Sequence, residues 1–246
     1  MKITCDGIVI WEVKTGESDR IITVLTDSGL ITAYARSSMK PGSKLTGSTA
    51  MLAFSNFELS TGKNMYTVVD ATSQNRFPGI YSDTGKYALA TYFCELLRDL
   101  APVEEDSTEF VRLFQNCLYL LDKDNKPIWQ IKAVFELSIM TLAGYMPDVI
   151  ECSLCGESRS NGGVFFDSQN ATWICSDCLI KINRPANYSY SVISAVRYIV
   201  LSDPKKAFAF SLSENNQKEL NRLCETFVLD HLEKKPNTLD FYHMMS

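Results

Sequence analysis

The spacing of the apolar residues changes once along the chain, and this change constrains the fold more than any other feature. Before Pro78 and Gly79 the apolar residues alternate or form short runs, whereas after them they recur about every 3.6 residues. Alternation is typical of strands, and the longer period places side chains on one face of a helix. We therefore predict an α+β, multidomain protein, with a strand-rich domain over residues 1–79 and an α-helical domain over residues 80–246.

Five apolar runs in the first domain predict five strands. They cover residues 3–13, 20–26, 30–37, 49–60 and 65–71. Turn residues such as Gly16, Gly29, Gly42 and Gly62 separate them. Five strands in so short a segment are what a small closed barrel needs, and the OB-fold is the five-stranded member of that class. A five-stranded sandwich is the structural alternative.

Helical spacing returns five times in the second domain and predicts five helices. They cover residues 89–100, 110–121, 127–142, 191–201 and 211–235. Ser107 or Asp106 is expected to cap the second helix, and Ser211 with Glu214 has capping-box spacing before the fifth. The apolar stripes are expected to be core. The apolar residues 241–245 are expected to dock either on this helical body or on a partner.

Four of the eight cysteines form two Cys-x-x-Cys pairs. The pairs are Cys152 with Cys155 and Cys175 with Cys178, and 19 residues separate them, which is typical of a tetrahedral zinc site. Four thiolates form a closed site, so we predict a structural Zn²⁺ ion in a zinc-binding segment over residues 150–180. Metal-free core or redox-active cysteines, or an iron site, are the alternatives.

The remaining cysteines and the N-terminus bear on the compartment. Cys5, Cys94, Cys117 and Cys224 each lie alone in an apolar stretch, as small core residues do. The first twenty residues contain acids before any long apolar run, so no export signal is expected, and no apolar stretch is long enough to span a membrane. We expect a cytoplasmic protein with reduced thiols and no membrane partner.

Motifs for catalysis are missing from the sequence. Neither G-x-x-x-x-G-K-[ST] nor G-x-G-x-x-G occurs, so no nucleotide cofactor is expected. The two histidines, His231 and His243, lie far along the chain from the cysteine pairs, and His231 falls on an apolar stripe typical of a packed or capping residue. We expect a protein that is not an enzyme. The alternatives are a protein-only zinc-ribbon adaptor and a metal-dependent nucleic-acid enzyme, which would need clustered carboxylates or an open metal.

The charge is distributed unevenly. The formal net charge is −5, yet residues 1–80 carry eight Lys and Arg against seven Asp and Glu. No acid occurs between Asp27 and Glu58, where Arg36, Lys40 and Lys44 lie. The overall charge disfavours a nucleic-acid-binding surface over the whole protein, so any DNA contact is expected at these three residues.

The third predicted strand places an aromatic ring beside these cations. The strand period of two puts Thr32, Tyr34 and Arg36 on one face, which is typical of surfaces that stack bases and contact phosphates. The alternative is that Tyr34 fills the barrel and Arg36 is only solvated. Arg20 is a secondary candidate, because an ion pair with Asp19 or Glu17 explains it equally well.

Several motifs, taken together and in this order, resemble the zinc-containing type of the RecO family. The quoted residues are Gly7-Ile8-Val9-Ile10, Gly16-Glu17-Ser18-Asp19-Arg20-Ile21, Ala35-Arg36, Lys40-Pro41, Ser43-Lys44-Leu45, Phe57-Glu58-Leu59, Tyr66-Thr67, Leu142-Ala143-Gly144-Tyr145-Met146-Pro147, Cys152-x-x-Cys155-Gly156, Phe166-Asp167 and Cys175-x-x-Cys178. The resemblance covers most of the chain.

The resemblance implies a DNA repair and recombination mediator. It implies an OB-fold followed by an α-helical domain, binding and annealing of single-stranded DNA, and association with the nucleoid. It further implies contacts with RecR and single-strand-binding protein during the loading of RecA. It favours Arg36, Lys40 and Lys44 as DNA contacts. Ser37-Ser38-Met39 stands where relatives often carry more basic residues, so the basic surface is thinner here.

Overall fold

The computed structural model describes residues 2–62 and 65–245, and its first element is a closed five-stranded barrel. The strands are β1 Lys2–Thr15, β2 Asp19–Thr26, β3 Gly29–Ala35, β4 Phe54–Thr61 and β5 Tyr66–Asn75. They are ordered β1-β2-β3-β5-β4, with β4 closing on β1. The β3–β5 pair is parallel and the other pairs are antiparallel. The predicted OB-type barrel is confirmed, and the sandwich alternative is wrong.

The barrel interior is filled by small and β-branched side chains with one large ring. Phe57 is fully buried in this core, and the partly buried Ile3 and Tyr66 pack against it. The buried residues of this core are Val9, Ile22, Val24, Ala33, Ala35, Phe57, Leu59, Val68 and Ala71. These residues alternate with outward-facing ones, as a pleated strand requires.

The fourth strand begins later than its sequence predicts. Residues 49–60 were expected to be extended, but a short helix, α1 Leu45–Ser48, precedes β4, which starts at Phe54. Thr49 ends this helix, since its backbone N–H and its hydroxyl both donate to Leu45 O, at 3.0 and 2.7 Å. A threonine with its hydroxyl bonded to the preceding turn favours a helix end over a strand start.

Contacts between Cα atoms divide the chain into two compact units, residues 1–125 with 236–246 and residues 126–235. The first unit contains the barrel and helices α2 Pro78–Tyr81, α3 Thr84–Leu100, α4 Thr108–Asp122 and α9 Asn237–Met245. The second contains helices α5 Ile128–Leu142, α6 Ser176–Lys181, α7 Tyr190–Leu201 and α8 Glu214–His231, and strands β6 Phe165–Asp167 and β7 Thr172–Ile174. The expected domain boundary at residue 79 stays a prediction.

Side-chain hydrogen bonds mark the starts of α4 and α8, and one predicted cap is corrected. The Asp106 side chain accepts a hydrogen bond from Thr108 N at 3.0 Å, so Asp106 rather than Ser107 satisfies the start of α4. Helix α8 is capped by Ser213, whose Oγ accepts from Asn216 N at 3.4 Å. The predicted capping box at Ser211 is therefore wrong, because the helix begins at Glu214.

The apolar C-terminal segment docks within its own unit. It forms α9, which packs on α3 and buries Leu239 and Tyr242. The buried Glu95 of α3 accepts hydrogen bonds from Thr238 N at 2.8 Å and from Thr238 Oγ1 at 2.5 Å. A carboxylate at the start of a helix satisfies free N–H groups and suits the helix dipole. Of the two docking sites expected for this segment, the structure shows the one on the protein itself.

In the second unit, a largely buried ion-pair cluster links α5 to α8. Lys132 Nζ lies 2.8 Å from Glu136 and 3.0 Å from Glu225. His231 packs with its ring centroid 4.5 Å from that of Phe227, and its Nδ1 lies 2.9 Å from Phe227 O, so the predicted packed histidine is confirmed. Across residues 2–62 and 65–245 no helix combines the length and apolar character needed to cross a membrane.

Candidate metal centre and nucleic-acid interface

Four cysteine sulfurs meet in the second unit. The Sγ atoms of Cys152, Cys155, Cys175 and Cys178 all lie within 4.8 Å of one another, and those of Cys155 and Cys175 are 3.7 Å apart. Four thiolates around zinc at about 2.3 Å form a tetrahedron with edges of roughly 3.8 Å. The cluster therefore fits a single tetrahedral metal ion with little movement. Within the described part of the chain, it is the one group of such residues that could hold a metal.

The first cysteine pair is shaped by its own backbone. Gly156 adopts φ +75° and donates from its N–H to Cys152 O at 2.9 Å, while Cys152 N donates to Glu157 O at 2.8 Å. A positive φ is the region that favours glycine, which explains Gly156 directly after Cys155. These bonds fold residues 152–157 into a tight turn that brings the sulfurs of Cys152 and Cys155 into the same cluster.

The second pair is presented by a helix start. Cys175 precedes α6, and Leu179 N donates to Cys175 O at 3.0 Å, so Cys178 lies one turn further along. The strands β6 and β7 form a hairpin that leads into α6, with Trp173 fully buried. Ser153 N donates to Trp173 O at 2.9 Å, which ties the first cysteine turn to this hairpin.

The protonation of the cluster is uneven. Burial raises the pKa of the Cys152 thiol, but hydrogen bonds from the N–H groups of Cys175, Leu154 and Cys155 outweigh it and lower the pKa to about 6. The hydrogen bond with Cys155, together with burial, raises the pKa of Cys178 to about 12. Cys152 therefore loses its proton more easily than Cys178, and a divalent cation would displace the protons that remain.

On the barrel, the predicted face around Tyr34 is turned outward. Ala33 and Ala35 lie in the buried core, so the alternating Thr32 and Tyr34 face away from it. Thr32 is exposed and Tyr34 is partly exposed. The alternative in which Tyr34 fills the barrel is therefore wrong. Arg36 follows the end of the strand and is exposed.

Asp19 anchors this face. Its carboxylate accepts hydrogen bonds from the Tyr34 hydroxyl and, at 2.6 Å, from Ser37 N. These bonds, with the charges of Arg36 and Lys40, hold the pKa of the Asp19 carboxyl below its ordinary value. The hydrogen bond to Asp19 also raises the pKa of Tyr34. Asp19 therefore orients the ring and the following turn, and it partly neutralises the cations beside it.

The candidate cations lie on one continuous loop between β3 and α1. Arg36, Lys40 and Lys44 are all exposed, and Lys44 directly precedes α1. Met39 N donates to Ser18 O at 2.8 Å, so the loop is tied to the β1–β2 hairpin. The structure thus brings Tyr34, Arg36 and Lys40 to one end of the barrel.

Arg20 is separated from that group. It pairs with Ala35 in the β2–β3 register and so shares the inward-facing side of the strands, opposite to Tyr34. Its side chain is 12% exposed and lies 3.5 Å from Glu12, and it donates to Thr46 O at 3.1 Å. The expected ion-pair partners, Asp19 and Glu17, are thus replaced by Glu12. Arg20 supports α1 rather than lying on the exposed loop.

A further cation close to α1 escaped the sequence analysis. Arg76 follows β5, and its guanidinium lies so close to Gly47 of α1 that an added Cβ there would approach Arg76 Nη2 to 2.4 Å. Its Nε also donates to Ser73 Oγ at 3.2 Å. Neither strand spacing nor charge density marks Arg76. Only closure of the barrel brings it beside the helix that follows Lys44.

Apolar side chains extend the exposed face onto β1 and β2. Val13 pairs with Ile21, which in turn pairs with Tyr34, so the three lie in one row across the strands. Val13 is 45% exposed. In the next row Trp11 is 39% exposed, and the guanidinium of Arg98 lies 4.3 Å from its ring centroid. An aromatic and aliphatic surface therefore borders the cationic loop.

Comparison with known proteins covers nearly the whole chain. Residues 1–77 match the family model described as Recombination protein O N terminal, and residues 81–240 match Recombination protein O C terminal. A DNA repair protein RecO from Acetivibrio thermocellus is 34% identical over 236 residues, which are 96% of this chain and 94% of that protein.

Two further relatives named DNA repair protein RecO show similar coverage. The one from Caldicellulosiruptor saccharolyticus is 27% identical over 98% of this chain and 97% of that protein. The one from Dehalococcoides mccartyi is 29% identical over 95% of this chain and 92% of that protein. With both family models matched in order along the same chain, the protein belongs to the RecO family of DNA repair proteins.

Proposed function

We propose that this protein is a non-enzymatic recombination mediator that binds single-stranded DNA on the outer face of its barrel. The observation that carries the proposal is that the outward ring of Tyr34 adjoins the exposed loop on which Arg36, Lys40 and Lys44 lie. In OB-folds the face of strands 2 and 3 is the one that binds oligonucleotides.

The physical basis is stacking combined with phosphate contacts. Bases of an unpaired strand stack on aromatic rings, worth about 1–3 kcal/mol per base, and Lys and Arg follow the backbone. Duplex DNA hides its base faces and would gain only the phosphate term. With three cations, and with Asp19 beside two of them, the affinity is modest and strongly dependent on salt.

The cysteine cluster has a structural role in this proposal. A closed set of four thiolates leaves no coordination position for substrate, so Zn²⁺ held by Cys152, Cys155, Cys175 and Cys178 would stabilise the fold rather than perform chemistry. Iron remains the alternative metal, and metal analysis of the purified protein distinguishes the two.

Family membership supports a wider role. We infer that the protein works in the cytoplasm at the nucleoid, anneals complementary strands and, with RecR, assists the loading of RecA onto DNA coated by single-strand-binding protein. Addition of RecR to a DNA titration should shift the binding isotherm, because a second protein on the same DNA contributes further contacts. An isotherm that is identical with and without RecR would argue against joint action.

A charge-removal variant tests the DNA surface. Arg36, Lys40 and Lys44 are replaced together by Ala, and binding to labelled single-stranded DNA is measured at several salt concentrations. We expect weaker binding and a plot of log K against log salt that is flatter by about 2, because each lost phosphate contact removes about 0.7 from the slope. Binding of the native protein should be weaker to a duplex of equal length.

The matched control removes three exposed lysines outside the barrel, Lys205, Lys206 and Lys234. Its total charge equals that of the test variant, so a purely global charge effect would weaken both proteins equally. Equal slopes for the two variants would exclude the barrel loop as the DNA site. Absence of single-strand binding by the native protein at low salt would favour the protein-only adaptor.

A further inference from the structure

The four cysteines of the cluster differ sharply in their exposure to solvent. Cys152, Cys175 and Cys178 are 2%, 3% and 5% exposed, whereas Cys155 lies on the surface. Its neighbours are exposed as well, including Leu154 at 55%. A small oxidant in solution therefore reaches Cys155 more readily than the other members of the cluster.

A second thiol is placed to react with an oxidised Cys155. The Sγ atom of Cys175 lies 3.7 Å from that of Cys155, in van der Waals contact. The two residues belong to different Cys-x-x-Cys pairs, so a bond between them would cross-link the first turn to the start of α6. A disulfide needs the sulfurs at about 2 Å, which small rotations of two side chains can provide.

Cysteines outside the cluster do not compete for the oxidant. Cys94, Cys117 and Cys224 are at most 1% exposed, and burial raises the pKa of each thiol. Cys5 is half-buried, and burial together with the charge of Asp6 raises its pKa. Burial slows the oxidation of these thiols, because the oxidant has to reach the sulfur.

We propose that Cys155 is a site of oxidation by hydrogen peroxide and that its oxidation releases the bound metal through a Cys155–Cys175 disulfide. The Cys155 sulfur attacks the peroxide, so an S–O bond forms, the O–O bond breaks, and one hydroxide leaves. The Cys175 thiolate then attacks the sulfenic sulfur, so the S–S bond forms and a second hydroxide leaves. The two sulfurs lose two electrons in total, and the peroxide gains them.

Metal release follows from the loss of ligands. Once Cys155 and Cys175 are joined, only Cys152 and Cys178 remain as thiolates, and two ligands hold a divalent ion far more weakly than four. Thiols such as dithiothreitol reverse a disulfide by exchange, so rebinding is possible once reductant and metal are returned. Peroxide would thus remove the metal that cross-links residues 150–180, and a thiol reductant with added metal would restore it.

The experiment uses the full, metal-loaded chain. Hydrogen peroxide is added, a chromophoric chelator follows released metal, and peptide mass spectrometry locates the disulfide. We expect about one metal ion released per chain, a Cys155–Cys175 linkage, and restoration by dithiothreitol with added Zn²⁺.

Two histidine variants form the matched pair. Cys155→His and Cys178→His each keep four ligands of a type that zinc accepts, but only the first removes the exposed sulfur. We expect Cys155→His to release metal at least about tenfold more slowly than Cys178→His, which should behave as the native chain. Equal release rates, or a disulfide that omits Cys155, would overturn the inference.

The inference rests on the metal site proposed above. The metal content before oxidation shows whether the metal site or the oxidation site has failed. A chain purified under reducing conditions without metal would overturn the metal site and this inference with it. A fully loaded chain that keeps its metal in peroxide would overturn the oxidation site alone.

Discussion

The barrel and the cysteine segment reach a defined structure by different means. The barrel closes its hydrogen-bonded ladder and buries a continuous apolar core around Phe57. Within residues 150–180, Val164, Phe166, Trp173 and Leu179 are the buried apolar residues besides cysteine, and the first cysteine turn is almost wholly exposed. Apolar burial is the main stabilising term for the barrel, whereas so short an exposed turn needs cross-links. Three predictions test this contrast.

The largest effect is expected from loss of one metal ligand. Replacing Cys152 with Ser should remove the metal and abolish amide hydrogen-exchange protection in residues 150–163, because structural zinc contributes about 10–16 kcal/mol in comparable small sites. The barrel strands should keep their protection. Exchange monitored by mass spectrometry, with metal analysis, measures both regions in one sample.

Cys5→Ser is the control for this experiment. Cys5 is a half-buried thiol of β1, outside the cluster, so its replacement should leave the metal content at the native level. The contrast between the two regions would fail if the Cys152 variant lost protection throughout the barrel, or if it kept a folded segment without metal.

The second prediction concerns the barrel core. Phe57→Ala should destabilise the barrel by about 3–5 kcal/mol, since it removes a fully buried ring and leaves a cavity. Native-state hydrogen exchange of the barrel amides measures this loss, and the cysteine cluster should retain its metal. Val69→Ala, at a site 44% exposed on β5, should change stability by less than about 0.5 kcal/mol. Similar losses for both variants would contradict a core-stabilised barrel.

The smallest effect is expected at Asp19, on the barrel surface. Its folded pKa lies below the ordinary 3.8, so the stabilisation it provides is fully present above that value and is lost as the pH falls through the folded pKa. Asp19→Asn should therefore lower stability slightly near pH 7. The difference from the native protein should shrink as the pH falls through the folded pKa of Asp19, because the protonated carboxyl and the amide are both neutral.

Unfolding curves of the two proteins at a series of pH values measure that difference. A difference that persists unchanged at low pH would show that the carboxylate charge does not hold Tyr34 and Ser37. The surface that is proposed to bind DNA would then depend on neutral hydrogen bonds alone.

Much of the fold was predictable because the decisive signals are local. Alternation followed by a 3.6-residue period predicted the strands and the main helices, since each depends on which face of one element is apolar. The spacing of Cys152, Cys155, Cys175 and Cys178 predicted their convergence, because each pair is a short turn and a hairpin joins the two. The start of β4 and the start of α8 differ from the prediction. Hydrogen bonds of Thr49 and Ser213 set these boundaries, and apolar periodicity alone could not place them.

The positions of surface side chains were less predictable than the strands and helices. The sequence alone determined that Thr32 and Tyr34 share one side of a strand, because successive residues of a strand alternate between its two sides. It did not determine that Arg20 turns inward to Glu12 or that Arg76 reaches Gly47. Those contacts join residues far apart in the chain, so they depend on the barrel register and closure, which only the tertiary structure decides.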